Sequence, residues 1–108
     1  GSTAKGKERK RPPEPVPSRE KEELTIQTRD NSIDLRGMRV DEALQRLDTE
    51  LDRKLRANTG TVIIIHGHGT GALRDAVRNH LNVYWPDEKQ RPGRDGEGGD
   101  GVTILHFN

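Results

Sequence analysis

Thr61-Val62-Ile63-Ile64-Ile65-His66-Gly67-His68-Gly69-Thr70-Gly71-Ala72-Leu73-Arg74 is the stretch whose reading decides the fold. Its opening run of β-branched residues favours a pleated strand buried on at least one face. Beyond Gly71, the apolar residues Leu73, Ala76, Val77 and Leu81 fall at helical spacing. Between strand and helix stand three glycines at alternate positions, interleaved with His68 and Thr70. Such a junction leaves backbone N–H groups unpaired at a helix N-terminus, and glycines allow an anion to approach them closely. The stretch reads as a phosphate or nucleic-acid contact, the alternative being a tight turn without ligand. His66 at the strand end weighs against the bare turn, which needs no imidazole. Neither familiar nucleotide loop fits. A P-loop requires Gly-Lys-Ser/Thr, and the dinucleotide fingerprint requires G-x-G-x-x-G where this chain has Gly67-His68-Gly69-Thr70-Gly71.

Upstream, Ile33-Asp34-Leu35-Arg36-Gly37 is a short strand with a central carboxylate, ending at a glycine. The spacing then predicts a helix from Val40 to Arg56, with Val40, Ala43, Leu44, Leu47, Leu51 and Leu55 as its apolar stripe. Asp41 and Glu42 favour the first-turn dipole, and Asn58-Thr59-Gly60 suits a left-handed C-cap. Downstream, Val83-Tyr84-Trp85 is expected to open a third strand, interrupted by Pro86 and therefore at an edge. A glycine-rich loop over residues 93–101 carries Arg94, Asp95, Glu97 and Asp100, and Val102-Thr103-Ile104-Leu105-His106-Phe107 is the last strand. The order is β-α-β-α-β-β.

Residues 1–31 differ in kind. They are rich in Pro, Lys and Glu, with Pro12, Pro13, Pro15 and Pro17 within six positions, which is linker composition. Gly1-Ser2 reads as a remnant of tag removal, and the chain as a fragment of a longer protein. This segment is expected to be disordered, because it holds too little apolar area to offset chain entropy. Leu24-Thr25-Ile26-Gln27-Thr28 alternates apolar and polar, so a short extra strand or a segment laid against the domain is expected there. The domain proper is then 32–108. Its sheet carries apolar groups on both faces, so the face without helices should meet this segment or another chain.

Charge narrows the function classes. Of 19 Lys and Arg and 18 Asp and Glu, residues 1–31 hold 8 and 6, so the remainder carries 11 against 12. Nucleic-acid binding must therefore rest on a local cluster and not on a global field. With no cysteine there is neither a disulfide framework nor a Cys-based zinc site. His66-x-His68 has only Asp34 as an obvious third ligand, which makes zinc a minor alternative. No apolar run is long enough for a membrane span, and a cytoplasmic location is expected. With Tyr84, Trp85 and Phe107 as the only aromatics, backbone or shape recognition is expected over base stacking.

A β-α-β unit places both strands in parallel, so Asp34 to Gly37 and His66 to Gly71 leave the sheet at one rim, where open α/β sheets bind ligands. One cleft is expected to gather Asp34, Arg36, His66, His68 and the amides before Leu73, with Arg74 and Arg78 one helical turn apart.

Taken together, Ile-Asp-Leu-Arg-Gly before a long helix, His-Gly-x-Gly-Thr-Gly-Ala-Leu-Arg, and a Gly-Glu-Gly-Gly-x-Gly-Val-Thr ending resemble the Smr (small MutS-related) domain over about residues 32–108. The similarity is greatest to the version at the C-terminus of the second bacterial MutS paralogue. The resemblance implies an α+β two-layer sandwich like the C-terminal domain of translation initiation factor three, with a four-stranded mixed sheet and the last strand antiparallel. It also implies nicking or binding of branched or duplex DNA in repair or recombination, or engagement of RNA or ribosomes in quality control. Asp34 matches the family's Asp-Leu-x-Gly carboxylate, and His66, Gly67 and Gly69 match its His-Gly-x-Gly motif.

Two departures stand out. Arg36 replaces the His of many nucleolytic members, and an arginine is no general base at neutral pH. Arg39 replaces the paralogue's usual Thr and forfeits a side-chain N-cap.

Two functions are therefore carried forward. In the first, an endonuclease, Asp34, His66 and Arg36 are catalytic, while Gly37, Gly67, His68, Gly69, Thr70, Gly71, Arg74, Arg78 and Arg94 bind nucleic acid. Mg or Mn, if used, would sit on Asp34. In the second, a binding module of a MutS-like ATPase, the same residues clamp phosphates without cutting. The isolated domain is expected to be a monomer and the longer protein a dimer.

Overall fold

The computed structural model describes residues 24–108. Expectations for the proline-rich and basic part of the tail fall on residues 1–23, outside the described residues. The elements run β1 (Ser32–Asp34), α1 (Val40–Arg56), β2 (Thr61–Ile65), α2 (Ala72–Tyr84), β3 (Lys89–Pro92) and β4 (Val102–His106), with a 3-10 turn over Gly99–Gly101.

The sheet order is β1-β2-β4-β3. β1 pairs with β2 in parallel, and β4 is antiparallel to both β2 and β3, so the sheet is mixed and only its last strand is reversed. That leaves β1, β2 and β3 parallel to one another. The ends of all three, and the 93–101 loop with them, open at one rim.

Alternation along the strands sorts the core into two layers. Val62 and Ile64 join Ile33, Leu35 and Leu105 beneath the helices, where Ala43, Leu47 and Leu51 of α1 and Val77 and Leu81 of α2 complete one cluster. Each such aliphatic side chain contributes about 1.5–3 kcal/mol of burial free energy, well above any single surface ion pair. Ile63, Ile65, Val102 and Ile104 form a second buried cluster on the opposite face.

α1 has the bounds its spacing predicts. The Arg39 side chain makes no cap bond to the first-turn amides, while Glu42 accepts from the Arg39 N–H at 3.3 Å, so half of a capping box remains. At the other end Asn58 takes φ 61°, its N–H bonds Leu55 O, and the Thr59 N–H reaches Lys54 O. These are the two bonds of a Schellman cap with Asn in place of Gly. The buried stripe is narrower than its apolar residues, since Val40 and Leu55 are exposed and the Lys54 stem is buried instead.

Val83-Tyr84-Trp85 does not open a strand. α2 continues through Tyr84, with Val83 65% and Tyr84 67% exposed, and Trp85 is the C-cap immediately before Pro86. The apolar character of Val83 and Tyr84 reflects neither strand pairing nor burial, whereas Trp85 packs against the core. β3 lies after the proline as Lys89-Gln90-Arg91-Pro92, an edge strand paired on one side only, where a proline costs no ladder bond on its free side.

Residues 24–31 lie against the domain, in no strand. The Thr25 N–H donates to Glu97 Oε2 at 2.6 Å, and the Thr25 hydroxyl accepts from Arg91 at 3.5 Å. Register puts Arg91 beside Ile104 on the face without helices, which is the side this segment follows. Of the segment's apolar residues, Ile26 points outward at 77% exposed, while the half-exposed Leu24 lies over Gly96. A buried Glu97–Arg91 pair needs the amide and hydroxyl of Thr25 more than it needs a methyl group.

Candidate nucleic-acid interface

β1 ends by splitting its residues between two environments. Leu35 is fully buried, and its N–H extends the ladder to Ile65 O at 2.8 Å, while Asp34 and Arg36 point to the other side and stay exposed. Arg36 grips Asp34 with both ends of its fork, Nε to Oδ1 at 2.9 Å and a terminal nitrogen to Oδ2 at 2.8 Å, and its backbone N–H adds a bond to Oδ1. These bonds hold the Asp34 carboxyl below its ordinary range, so it is ionised at neutral pH. The Arg36 stem passes over the next motif: a Cβ on Gly67 would lie 3.3 Å from Arg36 Cγ.

His66 belongs to the opposite side of the sheet. It is only 5% exposed. Its Nδ1 donates to Gly67 O at 3.1 Å, which fixes the tautomer and makes Nε2 an acceptor for the Thr103 hydroxyl at 2.9 Å. The same hydroxyl accepts from Arg78 Nε at 2.8 Å. Arg78 also bonds Val102 O and Asp100 Oδ1, and Arg74 takes Asp100 Oδ2 at 2.7 Å. Burial pushes the His66 pKa down, with the Arg78 charge adding to it, whereas Arg78 and then Arg74 hold Asp100 low. A neutral imidazole with both nitrogens engaged orders the loop that follows it.

That loop turns sharply. Gly71 caps α2 with φ 88°, a left-handed conformation that side chains rarely adopt, and a Cβ there would meet the Arg74 guanidinium at 2.6 Å. Thr70 Oγ1 accepts from the Ala72 N–H at 3.3 Å, the one side-chain bond to these first amides among the described residues. The His68 ring lies on Gly101, where a Cβ would come within 2.6 Å of it. Gly37, Arg39, His68, Thr70 and Arg74 line one groove of about 350 Å³, floored by His66. Gln27, Arg36, Ile65 and His68 border a second depression on the far side of Gly67.

The sequence-predicted residues are therefore not in one cleft. Gly67 and His68 form a saddle, with Asp34 and Arg36 on one flank and His66, Arg74 and Arg78 on the other. Arg94 lines neither depression; its N–H donates to Glu97 Oε1 at 2.7 Å. Glu97 is 5% exposed and held far below the usual carboxylate range, chiefly by Arg91 and then by the Thr25 and Arg94 amides. Thr103, Asp100 and Glu97 carry the frame; the sequence places Glu97 and Asp100 in the glycine-rich loop without a role and does not single out Thr103. One visible signal was a lone hydroxyl in the middle of an otherwise apolar last strand.

The donor set does not fit a dedicated metal site. Among the described residues no three His, Cys, Asp or Glu side chains converge, both Asp34 oxygens already accept from Arg36, and both His66 nitrogens are engaged. No described helix is long and apolar enough to cross a membrane.

The family model described as the Smr domain matches residues 33–108. The chain belongs to the Smr family. The fold agrees: the crystal structure of the Smr domain of Thermus thermophilus MutS2 superposes with a TM-score of 0.69 at 38% identity, covering 72% of this chain and 98% of that one. YdaL, a stand-alone small MutS-related protein from Escherichia coli, shares the fold at 19% identity with a TM-score of 0.62, covering 75% of this chain and 66% of that one. In sequence, this Smr chain is 42% identical over 103 residues to endonuclease MutS2 of Staphylococcus haemolyticus, covering 95% of this chain. It is 47% identical over 77 residues to endonuclease MutS2 of Listeria welshimeri, covering 71% of this chain. It spans only 13% and 10% of those two relatives.

Proposed function

We infer that this Smr domain grips the phosphodiester backbone of DNA across the Gly67–His68 saddle and nicks it there, as part of a longer MutS2-like endonuclease. The observation that carries this is the Arg36 stem lying on Gly67. It makes the exposed Asp34–Arg36 pair and the groove of Arg39, His68 and Arg74 one continuous surface. The relatives named endonuclease support hydrolysis over binding alone.

Hydrolysis requires a water in line with the leaving ester oxygen, charge neutralisation on the phosphoryl oxygens and a proton for the departing alkoxide. Arg36 exchanges the Asp34 carboxylate for a phosphate, to which its fork is equally suited. The carboxylate so released accepts a hydrogen bond from the attacking water, orients it, and takes its proton as the P–O bond forms and the ester P–O bond breaks. The positive N-terminus of α2 adds to the field on the phosphate, and solvent supplies the leaving-group proton. His66 fixes Gly67 and His68 from below. The donor set does not hold Mg or Mn unaided.

Nicking of supercoiled plasmid, with and without Mg or Mn, tests the proposal against Asp34→Ala. Loss of nicking with most affinity retained is expected. Cleavage by Asp34→Ala at the wild-type rate, in a preparation free of contaminating nuclease, overturns the hydrolytic role.

A second function, a binding module that does not cut, is favoured by one specific observation: Arg36 occupies both Asp34 oxygens while both His66 nitrogens face inward. In that case Asp34→Ala leaves binding unchanged or strengthens it. Structured RNA in the same assay separates the two nucleic acids.

A further inference from the structure

The open edge of the sheet carries a feature that the saddle does not use. β1 is an edge strand, and between it and α1 runs a groove of about 700 Å³ that starts at Asp34 and leads away from the rim. Arg46 and Arg53 of α1 line one wall, and Arg29, in the segment that reads from sequence as linker, lines the other. Arg53 is paired with Glu50 at 3.2 Å, and the Lys54 ammonium donates to Asp30 O at 2.7 Å. Arg29 and Arg46 have no hydrogen-bonded or ion-paired partner among the described residues. Asp34, held ionised chiefly by Arg36 with a small addition from the Arg46 charge, lines the same groove as Arg46 and so joins it to the saddle. Elsewhere at the rim Arg36, Arg74 and Arg78 each hold a carboxylate, and of the rim arginines only Arg39 shares the unpaired state among the described residues.

Cations left without partners, at the mouth of a groove continuous with a phosphate site, suit an anion that arrives from outside. Arg46 and Arg53 are seven residues apart on α1, about 10 Å, or the axial rise of about three base-pair steps of B-form DNA. A peptide added to the edge of β1 is the competing occupant. β1 offers it only three residues, and the arginines would not be required for main-chain pairing.

We propose that the β1–α1 groove is a second backbone-binding track, in which Arg29 and Arg46 hold phosphates of the DNA strand that continues past Asp34. This deepens the proposed function and rests on the saddle being a DNA site. The track supplies affinity for long substrates and sets the direction in which the strand leaves, without touching the scissile bond.

Fluorescence anisotropy with the 108-residue chain, a four-nucleotide oligomer and a 20-bp duplex tests it across a salt series. Arg29→Ala/Arg46→Ala should leave oligomer binding unchanged, weaken duplex binding about tenfold at 100 mM salt and lower the salt slope by about 1–2. Glu50→Gln, which frees Arg53, should tighten duplex binding by about twofold to threefold. Arg36→Ala should weaken both ligands. If the double variant binds duplex as the wild type does, the track is overturned while the saddle stands, and a protein strand at β1 becomes the better occupant. Equal losses on oligomer and duplex overturn it too, by placing both arginines at the saddle. If Arg36→Ala changes neither ligand while the double variant loses duplex, the saddle reading fails and the groove is the site.

Discussion

The two flanks of the Gly67–His68 saddle are built in opposite ways. On one, Asp34 and Arg36 form a bidentate pair in solvent, held by each other and by little else. On the other, His66, Thr103, Arg78, Asp100 and Arg74 form a chain of bonds that begins in the core and reaches the surface only at its end. An exposed pair contributes about 0–1 kcal/mol and exchanges readily with a competing anion. A buried polar chain costs several times that when broken, because the partners left behind stay desolvated. One flank is therefore suited to turnover and the other to holding position, although the sequence motifs present Asp34 and His66 as equivalents.

The sharpest way to break this contrast is activity. Asp34→Ala should lower nicking at least 100-fold while changing folding stability by less than about 0.5 kcal/mol, as urea denaturation would register. A variant that unfolds more readily in proportion to its lost activity would erase the distinction between the flanks. Next in size, His66→Ala should cost about 2 kcal/mol of stability, since it leaves the buried Thr103 O–H without its acceptor and the Gly67 carbonyl without its donor. If nicking were lost with stability unchanged, His66 would belong with Asp34 as a reacting group.

Acid titration sharpens the same point. Burial lowers the folded-state pKa of His66 beneath its ordinary 6.5, so the unfolded chain takes up the extra proton first. The neutral ring's contribution is complete above about 6.5 and is lost as the pH falls below that value toward the folded pKa. His106 shifts the same way through burial, so the quantity to measure is the difference in stability between wild type and His66→Gln from pH 7 to 5. A difference that does not shrink on acidification would contradict a buried neutral His66. Smallest, Arg39→Thr should add about 0.5–1 kcal/mol by supplying the missing N-cap opposite Glu42. If Arg39 serves the groove, DNA affinity should fall in the variant that folds better.

What was legible in the sequence follows the same division. α1 could be bounded to the residue because its stripe and Asn58 are local signals. The parallel β1–β2 pair and the glycine turn before α2 were likewise within reach, whereas the reversed last strand came only with the family resemblance. β3 was misplaced, because Val83 and Tyr84 are apolar residues on the solvent side of a helix, whereas Lys89-Gln90-Arg91-Pro92 is a strand only by virtue of its pairing with β4. At the site, Asp34, Arg36 and the His-Gly-x-Gly turn could be named from their motifs. That Asp34 and His66 face opposite sides of the sheet follows from register, which puts Asp34 beside Ile65 and Thr103 beside Ile64. The roles of Thr103 and Asp100 depend on contacts 22 to 37 residues distant in sequence.

The Thr25–Glu97 bond also has a mechanical side. Thr25 sits at the rim, beside the loop that bears Asp100, while Asn31, six residues later, accepts from the Ile63 N–H below. A pull transmitted through the chain ahead of Leu24 thus reaches the working end of the domain before it reaches the first strand. Tension would peel residues 24–31 off the sheet from the top, straining the Glu97 loop first and leaving the β1–β2 ladder intact until the slack is gone. A tether attached there is a handle on the site, and the force needed to release Thr25 sets how far the domain can be drawn before that handle slips.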